Sequence, residues 1–133
     1  MDFQRFIIVK IRRPQKHNIN EELQWIGTSL GLFSQRDKDK SCFRIFIELL
    51  KNTRLGSGLT SDELAYRLKL SRGTVIHHIN KLRGAGLVVS KQKRYILRVN
   101  NLSSLVDEIK KDIDRTYDDL KEIAKNIDLK LGF

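Results

Sequence analysis

Residues 58–89, GLTSDELAYRLKLSRGTVIHHINKLRGAGLVV, decide how this chain folds. Thr60 and Glu63 form a capping-box pair. The hydroxyl accepts from the Glu63 backbone N–H and the carboxylate reaches back to Thr60, which satisfies two donors that a helix start leaves orphaned. Asp62 adds negative charge in the first turn, where the helix dipole favours it. Leu64, Ala65 and Leu68 share one face, and Leu70 closes the turn behind them. Ser71 is placed to cap a second helix, in which Val75, Ile79 and Leu82 follow the spacing of a buried stripe. Its opposite face carries Gly73, Thr74, His77, Asn80 and Lys81, with Arg72 projecting from the first turn. Gly84-Ala85-Gly86 ends the helix. Leu87-Val88-Val89 and Tyr95–Val99 read as two strands around Ser90–Arg94, a hairpin tip bearing Lys91, Lys93 and Arg94. Such a surface fits a nucleic-acid groove and supplies no catalytic centre.

The charge distribution agrees. The chain carries 26 Lys and Arg against 16 Asp and Glu, a formal net charge of +10. Residues 51–98 hold 11 basic against 2 acidic side chains, whereas 1–50 hold 9 against 6 and 99–133 hold 6 against 8. Each phosphate neutralised by such a surface releases counterions, which predicts DNA or RNA binding with a steep salt dependence. At 133 residues the chain reads as one domain with an extension. No apolar run approaches the roughly 20 residues of a membrane-spanning helix. The start, MDFQRFIIVKIRRP, lacks a small-residue cleavage site, which argues against a secretory signal. Cys42 is the sole cysteine, so no intrachain disulfide can form, and its role is that of a small buried hydrophobe. The expected setting is a reducing cytoplasm.

Ser71-Arg72-Gly73-Thr74-Val75, followed by His78-Ile79, Leu82 and Ala85-Gly86-Leu87-Val88, resembles the winged helix-turn-helix of ArsR-type and related prokaryotic regulators. The resemblance spans residues 42–99 and says little about 1–36; the chain as a whole also has an archaeal look. With the patterns on either side, it implies an α+β, mainly α fold: an N-terminal strand and helix extension over 1–36, a winged helix-turn-helix over 37–99, and a long coiled-coil-like helix over 100–133. In that family the second helix enters the major groove and the wing lies along the backbone or minor groove. Carried over by position, the resemblance implies that Arg72, Thr74, His77 and Lys81 face the groove, with Ser71 beside Thr74 on the phosphate backbone. Lys91, Lys93 and Arg94 would be the wing contacts, and His78 matches a position that packs at the core edge.

Upstream, Phe3–Arg12 is rich in β-branched and aromatic residues and stops near the sole proline, Pro14, which predicts a strand. Lacking a nearby hairpin partner, it would join the wing or pair with its own copy in a dimer. Asn18–Leu30 reads as a helix with Leu23, Ile26 and Leu30 in a stripe and Trp25 beside them. Gln35–Lys40 reads as a polar turn into a helix over Ser41–Asn52, whose Cys42, Ile45, Phe46, Leu49 and Leu50 face the core. Downstream, Leu102–Leu131 repeats apolar residues every seven positions. A thirty-residue helix extends about 45 Å, longer than a compact domain covers. It either folds back onto the N-terminal helix or, the preferred reading, joins two protomers as a coiled coil, antiparallel or parallel. Val106, Ile109, Ile113, Tyr117, Leu120, Ile123 and Ile127 are the candidate dimerisation residues.

Other chemistries lack their residues. No phosphate-binding glycine loop occurs, and Gly56-Ser57-Gly58 is a connecting loop. One cysteine and three histidines (His17, His77, His78) offer no metal-ligand spacing, and the long C-terminal helix contains no histidine. No metal or cofactor is expected, and enzymatic activity is not expected. Asp112/Asp114 and Asp118-Asp119 read as solubilising charges rather than acid–base pairs. The first expectation is therefore a homodimeric regulator of transcription that binds double-stranded DNA sequence-specifically through residues 71–84 and the wing at 90–95. The alternative is a ribosome- or RNA-associated factor using the same fold for docking, with Arg12–His17 as added contacts; a protein adaptor would leave the basic segment unexplained.

Overall fold

A computed structural model describes residues 3–15 and 17–133. Lys16, inside the basic segment 12–17, lies outside the described residues. The element order is α1 (Ile19–Ser29), α2 (Ser41–Asn52), α3 (Ser61–Leu68), α4 (Arg72–Gly84), β1 (Val88–Lys91), β2 (Arg94–Leu97) and α5 (Leu102–Leu131).

The capping box forms in full: Glu63 N donates to Thr60 Oγ1 at 3.0 Å, and Thr60 N donates to Glu63 Oε1 at 3.1 Å. Lys69, in the left-handed region at φ 57°, turns the chain out of α3. Ser71 Oγ then accepts from Thr74 N at 3.1 Å and starts α4. Val75, Ile79 and Leu82 are fully buried, in one cluster with Ile45, Phe46 and Leu49 of α2 and Leu64 of α3. The start of α2 holds a device the sequence reading reduced to a turn. Lys40, at φ 57°, makes no side-chain cap, and the Asp37 carboxylate instead accepts from Ser41 N at 2.8 Å and Cys42 N at 2.9 Å.

The wing is a two-stranded antiparallel sheet running from Val88↔Leu97 to Lys91↔Arg94. Gln92 and Lys93, both at positive φ (53° and 65°), form its tip. A two-residue turn of that hand matches the right-handed twist of the strands. β1 begins and ends later, and β2 begins and ends earlier, than the hydrophobic runs suggest, so Lys91 and Arg94 are strand residues. Leu59 adds an antiparallel bridge to Tyr95, with Leu59 N donating to Tyr95 O at 3.0 Å and Tyr95 N to Leu59 O at 2.8 Å. That bridge ties the loop before α3 to the wing.

Phe3–Arg12 is not a strand; it runs as an arm without secondary structure over the helix ends. Arg5 N donates to Gly84 O at 2.9 Å and Val9 N to Ser29 O at 2.8 Å. The last carbonyls of a helix lack intrahelical donors, and the arm supplies two at the ends of α4 and α1. Its β propensity is overridden because what it meets is a pair of helix ends, with no free sheet edge. Gln4 Nε2 fastens it further, donating to Ala85 O at 3.2 Å and Asp112 Oδ2 at 2.9 Å.

Asp112 corrects another reading. It is buried, at 6% exposure, and accepts from Gln4, Arg98 and Arg115. The Arg98 hydrogen bond, above all, holds its carboxyl below the usual carboxylate range. It is a structural anion joining arm, wing and α5, and no mere solubilising charge.

The seven-residue stripe of α5 is divided. Leu105 and Ile109 are buried in the protein's own core and Ile113 packs against it. Ile109, named above as a dimerisation residue, is thus withdrawn from any such surface, since it covers the hydrophobic cluster of its own chain. From Asp114 onward every residue is exposed. Among the described residues no helix is long and apolar enough to cross a membrane.

Candidate nucleic-acid interface

The outward face of α4 is built by subtraction: Val75, His78, Ile79 and Leu82 turn inward, leaving Ser71, Arg72, Gly73, His77, Asn80 and Arg83 exposed and Thr74 half-buried. Ser71 Oγ donates to Thr74 Oγ1 at 2.8 Å, which fixes both hydroxyls at the positive end of the helix. Arg72 Nε lies 3.4 Å from Asp62 Oδ1, with both side chains more than 70% exposed. A solvent-exposed pair of this kind is weak, so Asp62 does not hold the guanidinium in place.

Lys81 departs from the set that the resemblance placed on this face. It is half-buried, and its ammonium donates to Gly31 O at 3.2 Å, bracing α4 against the segment after α1. Arg83 and Asn80 stand on the exposed side instead. The sequence reading named Asn80 on the wheel and overlooked Arg83, although continuing the helical step from Arg72 through Ile76 and Asn80 reaches it.

On the wing, Lys91 and Lys93 are exposed, and among the described residues neither takes part in an ion pair. Arg94 is committed inward: one guanidinium nitrogen donates to Gly58 O at 3.2 Å and to Glu63 Oε1 at 3.1 Å. The Glu63 carboxyl is lowered chiefly by its hydrogen bonds with Thr60, with Arg94 adding to them. Arg94 therefore fastens the wing to α3, and the two lysines form the outward charge of the tip.

Two flanks bound the α4 face. On one side Arg36, Asp37, Lys38 and Asp39 share a shallow recess with Thr74 and His77. On the other, Phe3 of the arm meets Asn80, Arg83 and the β1 residues Val88–Ser90 around a second recess. Beneath the face, His78 is buried, its Nε2 3.8 Å from Asp37 Oδ2 and its Nδ1 without a hydrogen-bond partner. Burial pushes its pKa down against the opposing pull of the Asp37 carboxylate, with His77 and Lys81 adding to the fall. Asp37 is itself lowered: burial raises it, but the backbone N–H groups of Cys42 and Ser41 outweigh that. The imidazole is thus held neutral as a core residue. The buried Cys42 thiol is pushed up to about 11 by desolvation and stays protonated. Among the described residues, no group of three or more His, Cys, Asp or Glu is placed to hold a metal ion.

Comparison with known proteins centres on the same segment. No curated protein and no solved structure matches the chain. Residues 47–90, from the middle of α2 through α3 and α4 into β1, match the family model described as bacterial regulatory protein, arsR family. That stretch is similar to an arsR-family helix-turn-helix, a likeness that supports a DNA-binding transcription regulator.

Proposed function

We propose that the protein is a dimeric, sequence-specific regulator of transcription that inserts α4 into the major groove of double-stranded DNA. The observation that carries this reading is the outward face of α4 within the matched segment. Arg72, His77, Asn80 and Arg83 project from it, and its apolar side is fully consumed by the core. Arginine and asparagine are the side chains that pair bidentately with guanine and adenine edges. Ser71, Thr74 and the helix N-terminus hold a phosphate at the groove's edge, and Lys91 and Lys93 reach the neighbouring backbone. Two copies would place two α4 helices one DNA turn apart, about 34 Å, on an inverted repeat.

Selection of bound sequences from a pool of random duplexes, run beside a random RNA pool at about 0.15 M salt, tests the reading. Enrichment of an inverted repeat from the duplex pool supports it. Equal retention of all duplexes, or preferential enrichment from the RNA pool, overturns it.

A further inference from the structure

Along α5, two apolar surfaces lack a partner within the described chain. The first is its distal stripe, where Tyr117, Leu120, Ile123 and Ile127 are each 49–65% exposed. The second is a groove of about 280 Å³ at the proximal end, walled by Ile8 of the arm, Trp25, Ile26 and Leu30 around α1, and Val106 and Ile113 of α5. The groove adjoins the stripe, because Ile113 in its wall lies one helical turn before Tyr117.

We infer that the two surfaces cover one another in an antiparallel pair, the distal end of one α5 seating in the proximal groove of a second copy. The inference rests on the dimer reading above and adds its orientation and the seat. Three observations favour it over a parallel pair. The first is coverage: a parallel pair joins distal stripes only and leaves the groove, at the other end of α5, open. The second is size. A stable interface takes about 20–30 residues from each partner, more than the 18 residues from Asp114 to Leu131 and within the thirty of the whole of α5.

The third is charge. Residues 102–119 hold 3 basic against 6 acidic side chains, whereas 120–131 hold 3 against 2. Antiparallel packing sets the acidic half of each helix beside the mildly basic half of the other; parallel packing sets acidic beside acidic. With Ile123 of one copy against Ile113 of the other, the axis passes near Asp118. The regions where the two cores grip α5, near residue 107, then stand roughly 33 Å apart at 1.5 Å per residue. That spacing is close to one turn of DNA, about 34 Å.

Paired single-cysteine additions to the full chain distinguish the orientations, with native Cys42, buried at 1% exposure, left in place as an internal control. Val106→Cys and Lys130→Cys proteins are mixed, treated with a short thiol–thiol cross-linker, and compared with each variant alone; the mass of each uncross-linked variant is measured by sedimentation. The inference predicts dimers by mass, strong cross-linking in the mixture and little in Lys130→Cys alone. Dimers that cross-link through Lys130→Cys alone overturn the antiparallel seat and leave the dimer reading standing. Monomers at tens of micromolar overturn both, and point to an occupant of the groove other than a second copy.

Discussion

Arg72 and Lys93 are both exposed cations, and the proposed function gives them different tasks. Arg72 stands at the start of a helix whose opposite face is locked in the core, so in the proposed complex its guanidinium would meet a base edge. Lys93 sits at φ 65° on a hairpin tip, a point charge on a flexible stem. Arg72→Ala should cost about 1–3 kcal/mol on the best duplex and relax base preference at one position. Lys93→Ala should weaken all duplexes alike and reduce the slope of log affinity against log salt by about 1. Titrations of matched and scrambled duplexes at several salt concentrations separate the two effects. His78 sets a different dependence. Its folded pKa is depressed, while in the unfolded chain it takes a proton near about 6.5. The unfolded state then binds more protons, so the stabilising contribution is present above that pH and is lost as pH falls through it. Asp37 and Asp112, also depressed, add their losses only below about 3.9. Urea midpoints should therefore fall between pH 7 and 5, and His78→Leu should flatten that decline. An equal decline in the variant would remove His78 as its cause.

The elements divide by how local their causes are. The helices α3, α4 and α5 were legible because capping residues and apolar spacing are written within each segment: Thr60 with Glu63, Ser71, and the run from Leu102 to Leu131. The arm was misread as a strand because its residues report β propensity, whereas its partners, Gly84 O and Ser29 O, come from distant helix ends. Asp37 escaped notice for a related reason. Its use as the cap of α2 depends on Lys40 adopting a left-handed conformation, which nothing in the composition of Gln35–Lys40 announces. The contact of α1 with α2 is equally tertiary. A Cβ built on Gly27 would lie 2.6 Å from a ring carbon of Phe43 and 2.8 Å from one of Phe33, so the absent side chain is what lets these rings, 4.6 Å apart, sit against the helix. Gly27→Ala should destabilise the fold by about 1–3 kcal/mol through overpacking, although alanine is the better helix former. Denaturant unfolding gives the sign, and a stabilised variant would show that the rings yield at no cost.

At the scale of the whole molecule, the basic excess lies in residues 51–98, the segment that contains α3, α4 and the wing, and the acidic excess lies in the segment of α5. The sequence displayed this polarity, but charge counts cannot say which cations are already spent. Lys81 braces Gly31, Arg94 binds Glu63, and Arg98 neutralises Asp112. The cations left to meet a polyanion are accordingly fewer than the composition suggests, and the proposed surface takes the outer edge of α4 and two lysines at the wing tip. Amide chemical shifts recorded while the isotopically labelled protein is titrated with a duplex test this surface directly. The account predicts the largest changes at residues 71–83 and 90–93, with Arg72, His77 and Arg83 foremost. Changes confined to the arm, α1 or α5, with those residues unmoved, would contradict it.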